Sequence, residues 1–272
     1  MLRRMTDAWS LAHEAAAAAA VRLEPLRTID DAAAIADVIV ATWGEQPIGT
    51  EVVRALAESG NEPYGAFDGD ELVAFVLGWA GVDADGLHVH SHMLAARPDR
   101  RHAGVGYALK LAQRAQALDH GIHTVRWTFD PLVARNGYFN LAKLGAVADR
   151  FERAFYGEML DVLNRGDRTD RLTARWDLDV DPGPRPAAPA ATVLRRDGND
   201  PVLDVEAFDD VGAIALEVPV DYVELRSALP SAAARWREAM ADAAEACIAR
   251  GLVAVTFDRK RSAYVFAQEA RR

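Results

Sequence analysis

The run Pro98-Asp99-Arg100-Arg101-His102-Ala103-Gly104-Val105-Gly106-Tyr107-Ala108-Leu109-Lys110 constrains this chain more than any other stretch. Residues 87–96 before it read as a strand. Residues 105–120 after it carry apolar side chains at helical spacing and no proline. The loop therefore closes a strand and opens a helix. A helix start presents unpaired backbone N–H groups and the positive end of the peptide dipoles, and Gly104 and Gly106 let an anion approach that backbone without a Cβ in the way. With Arg101 as a fixed charge, the loop is suited to a diphosphate. The dinucleotide fingerprint needs three glycines in another order, and the phosphate loop of nucleotide hydrolases needs Gly-Lys-Ser/Thr; neither fits.

The spacing Arg-x-x-Gly-x-Gly at 101–106 resembles the pyrophosphate-binding signature of the GNAT superfamily of acyl-CoA-dependent N-acyltransferases. The surrounding order agrees with that superfamily: a strand at 21–28, helices at 30–42 and 50–59, strands at 63–67 and 71–82, then the strand, loop and helix above. Further motifs are Trp127-Thr128-Phe129-Asp130-Pro131-Leu132, Asn136 with Asn140, Lys143-Leu144-Gly145-Ala146, Tyr156-Gly157 and Thr169-Asp170-Arg171. Together they look like a GNAT subgroup of acyltransferases with a C-terminal extension. The resemblance implies an α/β fold with a GNAT-like central mixed sheet flanked by helices, and a smaller α+β C-terminal part. It also implies acetyl-CoA or another acyl-CoA as co-substrate and a small amine, such as an amino acid, as acceptor.

Composition narrows the partners. Net charge is -10 over 272 residues and the isoelectric point is near 5.2, which argues against nucleic acid, since that binding rests on neutralising phosphates with a basic surface. Half of the residues are hydrophobic, enough for a sizeable core. No stretch is long and apolar enough to span a bilayer, and the basic start followed by Ala15–Ala20 is interrupted by Asp7, His13 and Glu14, so it reads as a helix rather than a signal. A single Cys247 excludes an internal disulfide framework and fits a reducing cytoplasm. The closely spaced prolines at 181–189 read as a linker. The expected organisation is thus a helical extension at 1–20, the GNAT-like domain at 21–180, the linker, and an α+β part at 190–272 that packs on the first region or on a second subunit of a homodimer. In that part strands are expected at 204–208 and 213–218, a helix at 231–250 with a solvated face of Arg235, Arg237, Glu238, Asp242 and Glu245, and a hairpin at 252–258 and 263–268. The junctions at 117–130 and 248–258 echo one another as a helix, a glycine and a strand.

Acyl transfer to an amine requires a base for the ammonium proton and stabilisation of the oxyanion and leaving thiolate. On the fourth strand, alternation places His88, His90 and His92 on one face. Histidine titrates near neutrality and suits a base or a relay to water; hydrogen-bonded structural histidines and a metal site are the other uses of such a row, but a flat alternating row converges poorly on one ion. His92 is the candidate base, with His90 beside the substrate. The resemblance further implies that the backbone near Leu94 and Ala96 pairs with the pantetheine amides and that Arg101, His102, Ala103, Gly104, Val105 and Gly106 hold the diphosphate. It implies a tyrosine acid four residues before Gly145, but that position is Leu141, which leaves Tyr138, one turn earlier. Asn136 either bonds the coenzyme or caps a turn. Asp130 either binds the substrate ammonium or caps the helix starting near Leu132. Arg171 either meets an acidic group of the substrate or forms a surface salt bridge. The missing tyrosine and the lack of a strand carboxylate keep a rival open, a non-catalytic module that binds or senses acyl-CoA.

Overall fold

The computed structural model describes residues 2–45, 47–98, 104–159, 166–179, 191–204, 206–208 and 212–269, with side chains from residue 7 onward. Arg101, His102, Ala103 and the proline-rich stretch 181–189 lie outside the described residues. The chain divides into two compact units, one formed by residues 1–127, 161–163 and 177–179, the other by 128–160, 164–176 and 180–272.

The first unit runs α1 (Leu2–Ala18), β1 (Arg22–Pro25), α2 (Ile29–Trp43), α3 (Thr50–Glu58), β2 (Tyr64–Asp68), β3 (Glu71–Asp83), β4 (Gly86–Ala96), α4 (Val105–Asp119) and the start of β5 (Thr124–Phe129). Strands β1 to β4 form an antiparallel meander, and β5 joins β4 in parallel. That is the α/β order expected from the sequence. Thr28 starts α2 through a capping box, its hydroxyl accepting from Asp31 N while Asp31 accepts from Thr28 N. One face of the sheet, through Phe75, Leu77, Met93 and Ala95, buries Ile35 and Ile39 of α2 and Val53 of α3. The other, through Ala74, Val76 and Leu94, packs on Val105 and Leu109 of α4. Helix α1 lies along α4, where the Trp9 indole donates to Asp119 at 2.7 Å. Helix α4 is thus covered on two sides, and its buried positions run almost all the way round.

The second unit contains α5 (Ala134–Gly137), a π-helical segment (Tyr138–Lys143), β6 (Val147–Glu152), β7 (Arg171–Asp177), β8 (Ala191–Asp197), β9 (Asp200–Leu203), β10 (Ala213–Glu217), α6 (Tyr222–Ala228), α7 (Pro230–Ala249), β11 (Leu252–Asp258) and β12 (Ala263–Gln268). Its strands lie in the order β7-β6-β11-β12-β10-β8-β9, mixed because β10 and β8 are parallel. Pairing of Ala254 with Ala148 ties the C-terminal residues into one sheet with β6 and β7.

Two expectations need correction, and one hairpin was not expected. Residues 206–208 form a 3₁₀ turn rather than a strand, because the Asp204 carboxylate accepts from Glu206 N and Ala207 N and bends the chain. The hairpin β8–β9, closed at Gly198 with φ 59°, went unread among its charged residues. The helix after Asp130 begins at Ala134, not near Leu132. Gly121 and Gly251, the echoed helix ends, both take the left-handed conformation at φ 70° and 72°, as helix-terminating glycines do.

Candidate active site

In the first unit β4 pairs with β3 along its whole length, but the register shifts: Leu77 faces Met93 while Gly78 faces Ser91. His92 is therefore the extra residue of a β-bulge, which leaves a backbone group outside the ladder and re-aims the side chain. The rings of His90 and His92 lie 5.8 Å apart, each about 5 Å from Trp79, at 5.1 Å and 4.9 Å. His88 stands over Gly81, where a Cβ would come within 3.1 Å of its Nε2, and its Nδ1 faces Gly86 O at 3.2 Å. The bulge also explains why Met93 joins the α2 core directly after His92. Burial pushes His90 down to about 4, with His92, His88 and Lys110 adding to the effect. Burial also lowers His92, although part of that residue stays exposed. Both rings are thus poised as neutral imidazoles at neutral pH. Among the described residues no group of three or more His, Cys, Asp or Glu side chains forms a metal site.

Beyond the bulge, Leu94 and Ala96 turn their side chains toward α4, and Ala96 O lies 3.4 Å from the Thr42 hydroxyl. The pairs between β4 and β5 are Val89 with Val125 and His90 with Arg126. Helix α4 opens at Gly104, whose φ of 109° suits only glycine, and among the described residues no side chain caps the helix start. Val105 is buried, and Gly106 follows in the first turn. An uncapped start of a 15-residue helix fits a diphosphate.

Sequence reasoning missed the residue on the other face of β4. Lys110 is 2% exposed; its Nζ donates to Ser91 Oγ at 2.8 Å and Gln113 Oε1 at 3.2 Å and sits 3.8 Å from the centre of the Trp127 ring. Burial brings it down to about 7. Its only signal in the sequence is a charge set between Leu109 and Leu111, easily taken for a solvated position. Gln113 also lines a cavity of about 340 Å³ with Asn61, Glu62, Gly78, Val89 and His120.

The other candidates belong to the second unit. Asp130 accepts both arms of the Arg237 guanidinium at 2.9 Å and also Leu132 N at 2.9 Å, so its carboxylate is an anchor and a turn cap. Arg237 is 3% exposed, also grips Asp167 and stacks on Tyr222. The α7 face expected to be solvated is therefore partly an internal ion-pair cluster. Its other members are engaged as well: Glu238, Asp242 and Glu245 converge on Arg153, and Arg235 pairs with Asp200. Burial would raise Asp167, but Arg237 and the Tyr222 hydroxyl hold it below the usual carboxylate range. Arg171 is not a surface residue; at 7% exposure it lies over Tyr156 and 4.0 Å from Asp130, and burial lowers it. Asn136 N donates to Val133 O, a turn contact. Tyr138 begins the π-helical segment under the Arg259 guanidinium, and Leu141 is fully buried. Gly137 is required by packing, since a Cβ there would meet the Phe257 ring at 2.6 Å.

No family model matches the chain, and no curated protein matches it. Solved structures do. The ribosomal-protein-S18-alanine N-acetyltransferase of Escherichia coli is similar over 61% of this chain and 99% of its own, at 15% identity and a TM-score of 0.48. A GNAT family acetyltransferase from Elizabethkingia anophelis with acetyl-CoA bound is similar over 58% and 98%, at 12% identity and 0.44. Naa20 of Chaetomium thermophilum, in complex with a bisubstrate analogue, is similar over 58% and 86%, at 16% identity and 0.47.

Proposed function

We propose that the chain is an acyl-CoA-dependent N-acyltransferase of the GNAT type, acting on a small primary amine such as an amino acid or its derivative, with an acetyl or succinyl donor. The observation that carries this is one junction: a bulged strand bearing His92, followed by Arg-x-x-Gly-x-Gly and an uncapped helix start at Gly104. In this reading the Arg101–Gly106 loop holds the diphosphate, and the backbone of β4 near Leu94 and Ala96 pairs with the pantetheine amides. His92 takes the ammonium proton directly or through water, and the free amine attacks the thioester carbonyl carbon. A C–N bond forms, the C–S bond breaks, and the thiolate takes up a proton. The N–H freed by the bulge supports the oxyanion. Tyr138 is kept as the acid on sequence grounds, and His90 lines the acceptor side.

Buried Leu141 at the usual tyrosine position favours the rival, a module that binds acyl-CoA without turnover. We place the protein in the cytoplasm on the strength of its single cysteine; no helix among the described residues is long and apolar enough to cross a membrane. Titration calorimetry of coenzyme A into the full chain tests the binding half of the proposal. Saturable one-to-one binding is expected, with affinity falling at least tenfold, about 1.4 kcal/mol, in Arg101→Gln. Absent binding, or binding that Arg101→Gln leaves unchanged in a folded variant, would refute it.

A further inference from the structure

Lys110 is a buried cation that the proposed chemistry leaves without a task. Its two hydrogen-bond acceptors, Ser91 Oγ and Gln113 Oε1, are neutral, and no carboxylate pairs with it among the described residues. An ammonium held this way loses its hydration and gains no opposite charge in return, a cost that a leucine or methionine at the same helix position would not carry. A buried amine of this kind is a candidate for a functional role.

Its location suggests the use. The last pair between β4 and β5 joins His90 to Arg126. The next residue on each strand is Ser91 and Trp127, and the Lys110 ammonium touches both side chains. It therefore sits where the ladder of these two strands ends. Ser91 to Leu94 is three residues, about 10 Å of strand, and Leu94 is where the proposed function puts the coenzyme arm. Gln113 also lines a cavity, one whose walls include neither Lys110 nor Ser91, and its amide can turn toward that space when the ammonium takes another partner.

We infer that Lys110, with Ser91, receives the terminal carboxylate of a dicarboxylic acyl group carried on the coenzyme, so that the donor is a succinyl- or glutaryl-type thioester. This rests on the acyltransferase reading and narrows its donor. No bond is made at Lys110; the ion pair supplies the missing anion and fixes the chain during transfer. A carboxylate on the amine acceptor offers the same chemistry from another source, and the test separates the two.

The test compares kcat/KM of the full chain for succinyl-CoA and butyryl-CoA, which differ mainly in a terminal carboxylate against a methyl, with amino acids and their carboxamides as acceptors. The wild type should prefer succinyl-CoA at least tenfold, and Lys110→Met should bring that ratio to near one. Should Lys110→Met not fold, the wild type alone decides: its binding preference for succinyl-CoA must fall as pH rises from 6 to 8.5, because the amine must then be reprotonated to pair. A preference for butyryl-CoA, a ratio unchanged in Lys110→Met, or a pH-independent preference overturns the inference. So does a Lys110→Met effect confined to the contrast between amino acid and carboxamide, which would put the carboxylate on the acceptor. Failure to bind or turn over these two thioesters and acetyl-CoA besides overturns the acyltransferase reading itself, whereas turnover of acetyl-CoA alone, or turnover without carboxylate preference, overturns only the role of Lys110.

Discussion

Replacing Lys110 by methionine should change how stability depends on pH, and the size follows from burial. An unfolded lysine titrates at 10.5, whereas the folded one is brought down to about 7 by burial. Below pH 7 both states carry the proton and the folded state bears the full cost of the buried charge. Between pH 7 and 10.5 the unfolded chain binds more protons than the folded one, so stability rises with pH. Above 10.5 both are neutral and the cost is gone. At about 1.4 kcal/mol per pH unit the ceiling is on the order of 5 kcal/mol, and relaxation around the charge brings the expectation to about 2–5 kcal/mol. Methionine fills a similar volume and does not titrate. Its loss of the bonds to Ser91 and Gln113 costs about 1–3 kcal/mol per unsatisfied group, but that loss does not vary with pH. Urea unfolding of both proteins at pH 6, 7, 8, 9 and 10 gives the difference in stability at each pH; groups away from Lys110 cancel, and His90, which Lys110 also lowers, affects only the acid end of the range. The wild type should gain on the variant by about 2–5 kcal/mol over this range. Parallel profiles, within about 0.5 kcal/mol, would refute the claim that the ammonium is buried without a counter-charge.

His92→Ala should lower kcat about a hundredfold or more while leaving coenzyme affinity within about threefold, and the loss should shrink with amines of lower pKa; wild-type turnover across pH 6–9 would remove His92 from the mechanism. Arg237→Ala removes the buried guanidinium that bridges the part-buried carboxylates of Asp130 and Asp167, leaving Asp130 to the more distant Arg171 and Asp167 to Arg226 and Tyr222, and should cost about 3 kcal/mol in denaturant unfolding, a loss that a solvated helix face would not show.

The order of strands and helices in the first unit was legible because each element carries its own signal. The apolar spacing marks the helices at 30–42 and 50–59, Gly121 ends a helix, and the alternation of β4 survives as far as His90. The bulge at His92 was not legible, since a register shift depends on how β3 and β4 pair and leaves no mark in either strand alone. Lys110 was missed because amphipathic reasoning assumes one buried helix face, while α4 is covered by the sheet on one side and α1 on the other. Arg237 was misread for a related reason. Its neighbours Arg235 and Glu238 do face outward, and only the approach of Asp130 and Asp167, distant in sequence, turns it inward. The charged hairpin β8–β9 shows the limit of composition, since its pairing comes from the backbone and a tight turn at Gly198 rather than from an apolar pattern.

The central claim, transfer of an acyl group from coenzyme A to an amine, is tested most directly by incubating the full chain with acetyl-, butyryl- and succinyl-CoA and pooled amino acids, following free thiol and the masses of the amines. The account predicts thiol release that requires both the thioester and an amine, with one amine gaining the mass of the acyl group. Binding of acyl-CoA with no thiol release and no acylated amine would contradict it and leave a sensing module in its place.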